Sequence, residues 1–478
     1  EYHQVDNGIK TCMYAGYPDL YMQFSKKNEF VFQPDWYRGV EYPKEQERGY
    51  ASNEDLYVPG YFEMNIKKGE SIIFAASTSE TKTGGLKKLF DKEVDLRAPR
   101  DNFFHCLVNA AHQFHYRTKK DERYIIAGYP WFKCRARDTF ISLPGLTLSI
   151  EEQDYFELVM KTAERDLRNF MEGKPLTGKI TEMEQPDVPL WAIWAIQQYG
   201  KEAGKEQCQK MYGKLLQDIV DYIIAQKHPN LTLEENGLLH TEGRDKAVTW
   251  MNSTANGKPV VPRTGYIVEF NALWYNALRF AASMAQDEKR VKMLEERAEL
   301  AKTSFVDVFL NEYGYLFDYV DGNMMDWSVR PNMIFAVALD YSPLSQPQKK
   351  SVLDVCTREL LTPKGLRSLS PKSGGYNPIY VGPQVQRDYA YHQGTAWPWL
   401  GGFYMEACLK LYKRTRLSFI ERQMVGYEDE MSYHCLGTIS ELFDGNPPFS
   451  GRGATSFAMN VGEILRTLEL LEKYQYQF

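Results

Sequence analysis

A loop-like segment near the C-terminus carries two carboxylates, Glu441 and Asp444, in the stretch "HCLGTISELFDGNPP" (434–448). Gly437, Gly445 and a pair of prolines punctuate the segment, which is typical of an irregular loop. Carboxylates beside a turn are usually solvated, but a carboxylate enclosed by a pocket can take up or release a proton during catalysis. Both interpretations are open from these residues alone.

An adjacent arginine and aspartate stand in the segment "GYPWFKCRARDTFISLPGL" (128–146). Arg137 and Asp138 together suit neighbouring hydroxyl groups, because the guanidinium donates in a fork while the carboxylate accepts two bonds. Tyr129 and Trp131 could supply a flat ring face beside them. Alternatively, Asp138 lies in the first turn of a helix, where the helix dipole favours a carboxylate.

A third segment, "AVTWMNSTANGKP" (247–259), places Trp250 two residues before Asn252 and then continues as a polar loop. Further along, Glu269 and Asn271 begin an otherwise apolar helical stretch. A polar pair in such a helix either lines a pocket or satisfies the backbone groups of a nearby loop.

A fourth segment, "RDYAYHQGTAWPWLGGFYMEA" (387–407), combines His392, Gln393 and Trp397 ahead of a proline. Tryptophans in a helix belong more often to the core than to a ligand platform. The polar "HQGT" cluster directly before them favours a pocket wall.

Motifs for other chemistries are missing from the sequence. It contains no GxGxxG, GxxxxGK[ST], HExxH or GxSxG pattern. The 7 cysteines are scattered and form no CxxC pair, so neither a disulfide framework nor a zinc site is indicated. A loop carboxylate such as Asp444 could bind calcium, although the spacing is not that of an EF-hand. We therefore predict no cofactor and no metal centre.

The composition is that of an ordinary globular protein, with 43% hydrophobic and 25% charged residues. A net charge of −6 provides no basic field for nucleic acid or anionic lipid, so a neutral or weakly polar ligand fits better. Aromatic residues reach 14%, and sugar-binding proteins use such rings as platforms, although a large aromatic core explains the number equally well.

No apolar run reaches membrane-spanning length, and no signal-peptide pattern opens the chain. Scattered, unpaired cysteines favour a cytoplasmic protein. The first residue is Glu1 rather than a methionine, so a processed or truncated N-terminus is expected. Nothing in the sequence specifies an oligomeric state.

The spacing of apolar residues changes from strand-like to helical along the chain. We expect strands at 20–24, 29–33, 60–66 and 71–77, followed by a Ser/Thr/Gly linker at 77–85. We then expect about ten to twelve helices, including 101–116, 149–171 (opening with a Ser149–Glu152 capping box), 187–199, 205–226, 268–285, 288–309, 329–340, 347–358, 391–413 and 457–474. Apolar helices joined by loops of unequal length favour a double ring of helices, with the pocket among the long loops.

Taken in order, these segments resemble the glucosidase domain of glycogen debranching enzymes, the amylo-α-1,6-glucosidase family. The resemblance extends over roughly residues 100–475 and includes two further motifs, "RPNMIFAVAL" (330–339) and "TPKGLRSLSP". Residues 35–60 resemble the end of the β-rich N-terminal domain of bacterial members. The resemblance implies the C-terminal part of a β-sandwich domain with a linker at 1–85, followed by an (α/α)6 barrel at 86–478.

The resemblance also implies a mechanism. Members resemble glucoamylases and invert the anomeric carbon, with an acid that protonates the glycosidic oxygen and a base that activates water. Such groups lie about 6.5–9.5 Å apart, which leaves room for the water. Glu441 matches the base. The predicted substrate-binding residues are Arg137, Asp138, Trp131, Tyr129, Trp250, Glu269, His392 and Trp397.

The family's general acid is an aspartate two residues after the tryptophan, and here Asn252 occupies that position. An amide can hydrogen-bond the glycosidic oxygen but has no proton to give at neutral pH. Three explanations are open. Another carboxyl, from Glu242, Asp245 or Glu269, supplies the proton; or the domain binds α-glucan ends but hydrolyses them poorly; or Asn252 is an introduced substitution.

We therefore predict an inverting glycoside hydrolase that removes α-1,6-linked glucose branch stubs from glycogen-type α-glucans such as limit dextrin. The alternative is an α-glucan-binding protein with reduced or lost turnover. A trehalase-like hydrolase or a sugar epimerase fits less well, because "RDTFISLPGL" and "GTISELFDG" occur together and the 8 histidines form no matched pair. The transferase half of eukaryotic debranching enzymes is not visible in the sequence.

Overall fold

The computed structural model describes residues 2–476. They form two compact units that divide between Pro99 and Arg100. The predicted boundary at 85–86 lies before a helix, Leu86–Asp95, that belongs to the first unit.

The first unit is built mainly from antiparallel strands. Its elements are β1 (Tyr2–Val5), β2 (Gly8–Thr11), β3 (Leu20–Phe24), β4 (Glu29–Glu41), α1 (Pro43–Glu47), β5 (Asn53–Glu63), β6 (Phe74–Ser77) and α2 (Leu86–Asp95). One sheet has the order β1-β2-β3-β6, while β4 and β5 form a long two-stranded ribbon. The ribbon changes register between Phe32 and Asp35 and again between Tyr37 and Val40. Each predicted strand overlaps an observed one.

The second unit is mainly helical. Its α-helices are α3 (Phe103–Phe114), α4 (Ala136–Thr147), α5 (Gln153–Met171), α6 (Val188–Ala203), α7 (Lys205–Ile224), α8 (Val268–Met284), α9 (Glu288–Phe309), α10 (Phe335–Ala338), α11 (Gln346–Leu360), α12 (Gln384–Ala390), α13 (Pro398–Tyr412), α14 (Leu417–Glu430) and α15 (Ala458–Tyr476). A short 3-10 helix, Pro331–Ile334, leads into α10.

Short strands connect these helices. They are β7 (His115–Arg117), β8 (Arg123–Ile125), β9 (Gly128–Tyr129), β10 (Thr232–Leu233), β11 (Leu239–Thr241), β12 (Thr254–Ala255), β13 (Lys258–Pro259), β14 (Gly265–Ile267), β15 (Tyr319–Asp321), β16 (Met324–Met325), β17 (Leu361–Thr362), β18 (Gly365–Arg367), β19 (Ala396–Trp397), β20 (Leu442–Phe443), β21 (Gly451–Arg452) and β22 (Ser456–Phe457). They pair as β10-β11-β14-β15-β16, β17-β18-β19-β20-β21, β7-β8, β12-β13 and β9-β22.

Alternate helices of the second unit form a closed ring. α4, α6, α8, α10, α13 and α15 contact one another in that order, and α15 contacts α4 again. These helices are apolar almost all round, and every residue of α4 is buried. The helices between them, such as α5 and α9, bury one face only. Since a helix without a polar face must be enclosed, the sequence pattern places these six inside and their neighbours outside.

Two predicted helix boundaries are wrong. The helix expected at 391–413 begins only at Pro398, after turn residues and the strand β19, because Pro398 has no N–H for a preceding turn and suits the first position of a helix. The capping box expected at Ser149 is absent from α5, whose N-cap is Glu152. The Ser149 hydroxyl instead donates to the Glu469 carboxylate on α15.

A network of alternating charges runs from the surface into the interior and joins several inner helices. The network consists of Lys201, Asp340, Lys410, Glu406, Arg466 and Glu463. The nitrogen and oxygen atoms of each oppositely charged pair lie within 2.8 Å of each other. Buried charges are tolerated when each has an opposite partner. The network therefore ties α6, α13 and α15 together at the end of the ring away from the loops described below.

The close approach of α4 and α15 gives a test of the ring. A β-carbon at Gly145 would overlap the backbone carbonyl of Gly462. Alanine normally stabilises a helix relative to glycine by about 1 kcal/mol. We expect Gly145→Ala instead to lower the free energy of unfolding in urea by about 1–3 kcal/mol, because the helices must separate.

The matched control is Gly374→Ala, because a β-carbon there meets no atom within 4 Å. Its free energy of unfolding should stay within about 0.5 kcal/mol of the wild type. A stabilised Gly145→Ala protein would contradict the close helix packing.

Candidate active site

The N-terminal ends of the inner helices carry the predicted site residues. β14, β19 and β22 each end one residue before α8, α13 and α15 begin, so paired strands fix the loops that enter these helices. Helix N-termini carry unpaired N–H groups and a partial positive charge, which favours carboxylates nearby. This end of the ring is therefore suited to holding buried acids.

Glu441 lies in the loop just before β20 and is 2% exposed. The Ala454 amide donates to its Oε2 atom at 2.7 Å, and the Tyr391 hydroxyl donates to Oε1. Burial raises the pKa of Glu441 to about 8, opposed by the Ala454 hydrogen bond and the positive charge of Arg135, while the charge of Asp138 raises it further. The carboxyl is thus held in a defined orientation and can exchange a proton near neutral pH.

Arg137 and Asp138 both lie in the first turn of α4, but they have different surroundings. The Nε and Nη2 atoms of Arg137 donate to the carboxylate of Asp187, at 2.6 and 2.9 Å. Burial raises the pKa of Asp138 to about 6, against the opposing charges of Arg135 and Arg137. The predicted joint clamp stays a prediction. Arg137 is largely engaged within the protein, while Asp138 is a buried acid whose charge reaches Glu441.

Four aromatic rings form the wall beside Glu441. Trp250 makes edge contacts with His392 and Trp397, at centroid distances of 5.1 and 5.3 Å. His392 stacks on Trp397 at 5.4 Å, and Tyr391 contacts both of these rings. Because Tyr391 also bonds Glu441, the rings and the carboxyl belong to one site.

A chain of buried hydrogen bonds fixes the orientation of Trp250. Its indole Nε1 donates to Asn332 Oδ1 at 2.7 Å, and Asn332 Nδ2 donates to Asp318 at 2.7 Å. Asp318 pairs with Arg263, which also pairs with Glu269 through two hydrogen bonds. Glu269 is therefore anchored within the protein by Arg263, and its predicted sugar contact and predicted role as the acid stay predictions.

His392 is buried, and neither ring nitrogen has a hydrogen-bond partner among the described residues. Burial and the positive charges of Arg330, Arg137 and Arg263 hold its pKa well below the usual value. A neutral imidazole has one donor and one acceptor nitrogen. His392 can therefore bond hydroxyl groups without carrying a charge.

Asn252 is half-buried and follows Trp250 and Met251 at the edge of this wall. Its amide makes no hydrogen bond to any residue between 2 and 476. The next residue, Ser253, donates its hydroxyl to the carbonyl of Asp388 at 2.6 Å, which holds the loop against α12. The amide of Asn252 is therefore positioned by its neighbours and available to a ligand.

The other predicted residues are exposed or have hydrogen-bond partners within the protein. The Tyr129 hydroxyl donates to the carbonyl of Gln113 at 2.6 Å, so its polar end is already used. Trp131 is 47% exposed. Glu242 and Asp245 are exposed and line a separate cavity in the same unit.

Asp444 is engaged in the loop rather than in a cation site. It accepts two hydrogen bonds from Arg452 and one from the Tyr380 amide. Over residues 2–476, no cluster of acidic, histidine or cysteine side chains is suited to a metal ion, and no helix is long and apolar enough to cross a membrane.

Three contributors to the site were not predicted from the sequence. Asp187 pairs with Arg137, Asn332 orients Trp250, and Tyr391 bonds Glu441. Tyr391 stands directly before His392 in a segment already selected, so its position in the sequence could have indicated a role in the site. Asn332 lies within the motif "RPNMIFAVAL" that was also selected, whereas Asp187 has no local signal, because its partner lies far away in the sequence.

Comparisons with known proteins identify the family of the chain. Residues 108–466 match the family described as amylo-alpha-1,6-glucosidase, and residues 1–73 match the glycogen debranching enzyme N-terminal family. The glycogen debranching enzyme of Saccharomyces cerevisiae is 23% identical over 382 residues, covering 59% of this chain and 25% of the yeast protein. The chain thus spans about a quarter of that curated relative.

Two solved structures share the fold. A bacterial glucoamylase complexed with acarbose superposes with a TM-score of 0.58 at 14% identity, covering 98% of this chain and 73% of that chain. The GH63 mannosylglycerate hydrolase of Thermus thermophilus, in complex with glucose, has a TM-score of 0.52 at 11% identity, covering 77% of this chain and 99% of that chain. Both likenesses concern the fold alone.

The buried Glu441 carboxyl should make the protein less stable as pH rises. Its folded pKa of about 8 lies above the ordinary value of 4.5, so between these values the folded state keeps a proton that the unfolded state has lost. We expect Glu441→Gln to exceed the wild type in free energy of unfolding by on the order of 3 kcal/mol at pH 9, and to match it near pH 4.

Urea unfolding at both pH values measures this difference. The control, Glu242→Gln on the surface, should change stability by no more than about 0.5 kcal/mol at either pH. A Glu441→Gln protein with no pH-dependent gain would show that the carboxyl is not held in a low-dielectric site.

Proposed function

This chain belongs to the amylo-α-1,6-glucosidase family, and we propose that it acts on α-1,6-linked glucose at the ends of branched α-glucans. The proposed reaction is inverting hydrolysis, with Glu441 as the general base that deprotonates the attacking water. The closed ring of inner helices, with its outer partners, supports an (α/α)6 barrel as the catalytic domain. The antiparallel strands of the first unit support the end of a β-sandwich.

The observation that carries the proposal is the buried, oriented carboxyl of Glu441 within one site with Asp138, Trp250 and His392. A base needs a carboxylate aimed at the reacting centre, and the Ala454 amide and Tyr391 hydroxyl direct its two oxygens. Asp138 and the uncharged imidazole of His392 suit sugar hydroxyls. The ring face of Trp250 suits the apolar side of a pyranose.

The reaction also needs a group that protonates the leaving oxygen, and the predicted candidates are poorly suited to this role. Asn252 can bond that oxygen but cannot protonate it. Glu269 is engaged with Arg263, and Glu242 and Asp245 are exposed. We therefore propose slow hydrolysis by a site that keeps its base and its sugar-binding wall.

Asn252 also favours a second candidate, an α-glucan-binding protein with reduced or lost turnover. Calorimetry with branched limit dextrin separates the two candidates when combined with a glucose-release assay. Binding without glucose release supports the second candidate, and release of β-glucose supports the first.

Restoring an acid gives the sharpest test. We expect Asn252→Asp to raise kcat for glucose release from limit dextrin by about 10²–10⁴-fold, the usual value of general acid assistance. The matched control is Asn256→Asp in the same loop, which should leave kcat within twofold, that is, about 0.4 kcal/mol or less. An unchanged rate in Asn252→Asp would show that the proton comes from elsewhere.

The pH profile identifies the base. Glu441 must be ionised to accept a proton, so kcat/KM should rise with pH through about 8, the pKa that burial gives this group. Without an acid at position 252, the profile should then level off. Asn252→Asp should add a limb along which kcat/KM falls as the new acid loses its proton, and Glu441→Gln should lose the rising limb and about 10²–10⁴-fold of kcat/KM above pH 8. Full activity of Glu441→Gln would exclude Glu441 as the base.

A further inference from the structure

A cavity of about 410 Å³ lies between the loop that precedes α6 and the loop between α7 and α8. This volume is within the range of small-ligand pockets, about 300–1,000 Å³. One wall includes Pro186, which is next to Asp187, the partner of Arg137. Another includes Val248, two residues before Trp250. The cavity therefore adjoins the candidate active site at the same end of the ring.

The side chains of the cavity are polar and of mixed charge. They include Glu184, Asn230, Glu242, Arg244, Asp245 and Lys246, and no aromatic residue lines the space. Interspersed charges of both signs give no strong attraction for a highly charged ligand. They offer many donors and acceptors instead, which suits the hydroxyl groups of a neutral polar chain.

Bonds within the protein hold the wall of the cavity in place without a ligand. The Asn230 side chain bonds both the N–H and the carbonyl of Glu242, each at 2.9 Å. Arg244 pairs with Asp321 at 2.6 Å, which ties this loop to β15. Preorganised groups bind more tightly because less freedom is lost on binding.

We propose that this cavity binds the glucan chain from which the terminal glucose is removed. The proposal rests on the proposed function, in which the terminal glucose occupies the aromatic wall beside Glu441. A substrate linked through its glycosidic oxygen near Asn252 must continue away from that pocket. The cavity, separated from Trp250 by a few residues of the same loop, receives the continuing chain through hydrogen bonds rather than stacking.

The double variant Glu242→Gln with Asp245→Asn tests the cavity by binding. Both substitutions are made in a Glu441→Gln background, so the measurement does not depend on turnover. Calorimetry with branched limit dextrin should show a Kd raised by about tenfold, as expected for one or two lost charged hydrogen bonds. Binding of isomaltose, which is too short to fill the cavity, should be weakened much less.

A matched control is Glu295→Gln with Asp307→Asn in the same background, because both carboxylates are exposed on the outer helix α9. The control should bind dextrin as the Glu441→Gln protein does. Equal dextrin affinity of the cavity and control variants would overturn the proposal.

A turnover measurement separates this proposal from the alternative that these carboxylates supply the proton. In the otherwise wild-type protein, the double variant should lower kcat/KM for dextrin about tenfold more than kcat/KM for isomaltose. Equal losses for both substrates would place Glu242 or Asp245 at the scissile bond and overturn the cavity proposal. If the wild-type protein releases no glucose but binds dextrin through the cavity, the proposed hydrolysis fails while the cavity proposal stands.

Discussion

Burial of charge at the N-terminal ends of the inner helices is the constraint on which the candidate site depends. A charged group removed from water is tolerated when it has an opposite partner, and otherwise it tends towards its neutral form. The structure uses both arrangements. Arg137 is paired with Asp187, and Arg263 is paired with Asp318 and Glu269, whereas neither Asp138 nor Glu441 forms an ion pair within residues 2–476. Burial raises the pKa values of these two acids.

This difference separates supporting residues from reactive ones. Glu269 is as deeply buried as Glu441, and burial raises its pKa as well, but both of its carboxylate oxygens accept hydrogen bonds from Arg263. Glu441 accepts bonds only from an amide and a hydroxyl, both of which orient it without fixing its charge. Removing Arg263 would leave the buried carboxylates of Glu269 and Asp318 without their positive partner, and Asp318 is the group that holds Asn332 and through it Trp250. The same buried residues therefore hold Trp250 in position and set the distribution of charge around the site.

Prediction from the sequence succeeded where a property depends on neighbouring residues. The helix expected at 288–309 is observed as Glu288–Phe309, because its apolar residues recur at a helical period and its ends are polar. Helix α14 was not predicted, since its charged and apolar residues alternate with little pattern. The start of α13 at Pro398 was also missed, although the proline marks it, because the apolar run begins before the proline.

By itself, the sequence determined the ordered motifs that identify the family, the helical character of the larger unit and the presence of an amide at position 252. Each of these follows from residue identity and short-range spacing. Only the tertiary structure decided which carboxylates are paired. Arg137 and Asp187 are 50 residues apart, as are Tyr391 and Glu441, and Trp250 and Asn332 are 82 apart. Whether a buried acid keeps its proton depends on such distant partners, and short-range sequence patterns do not reveal them.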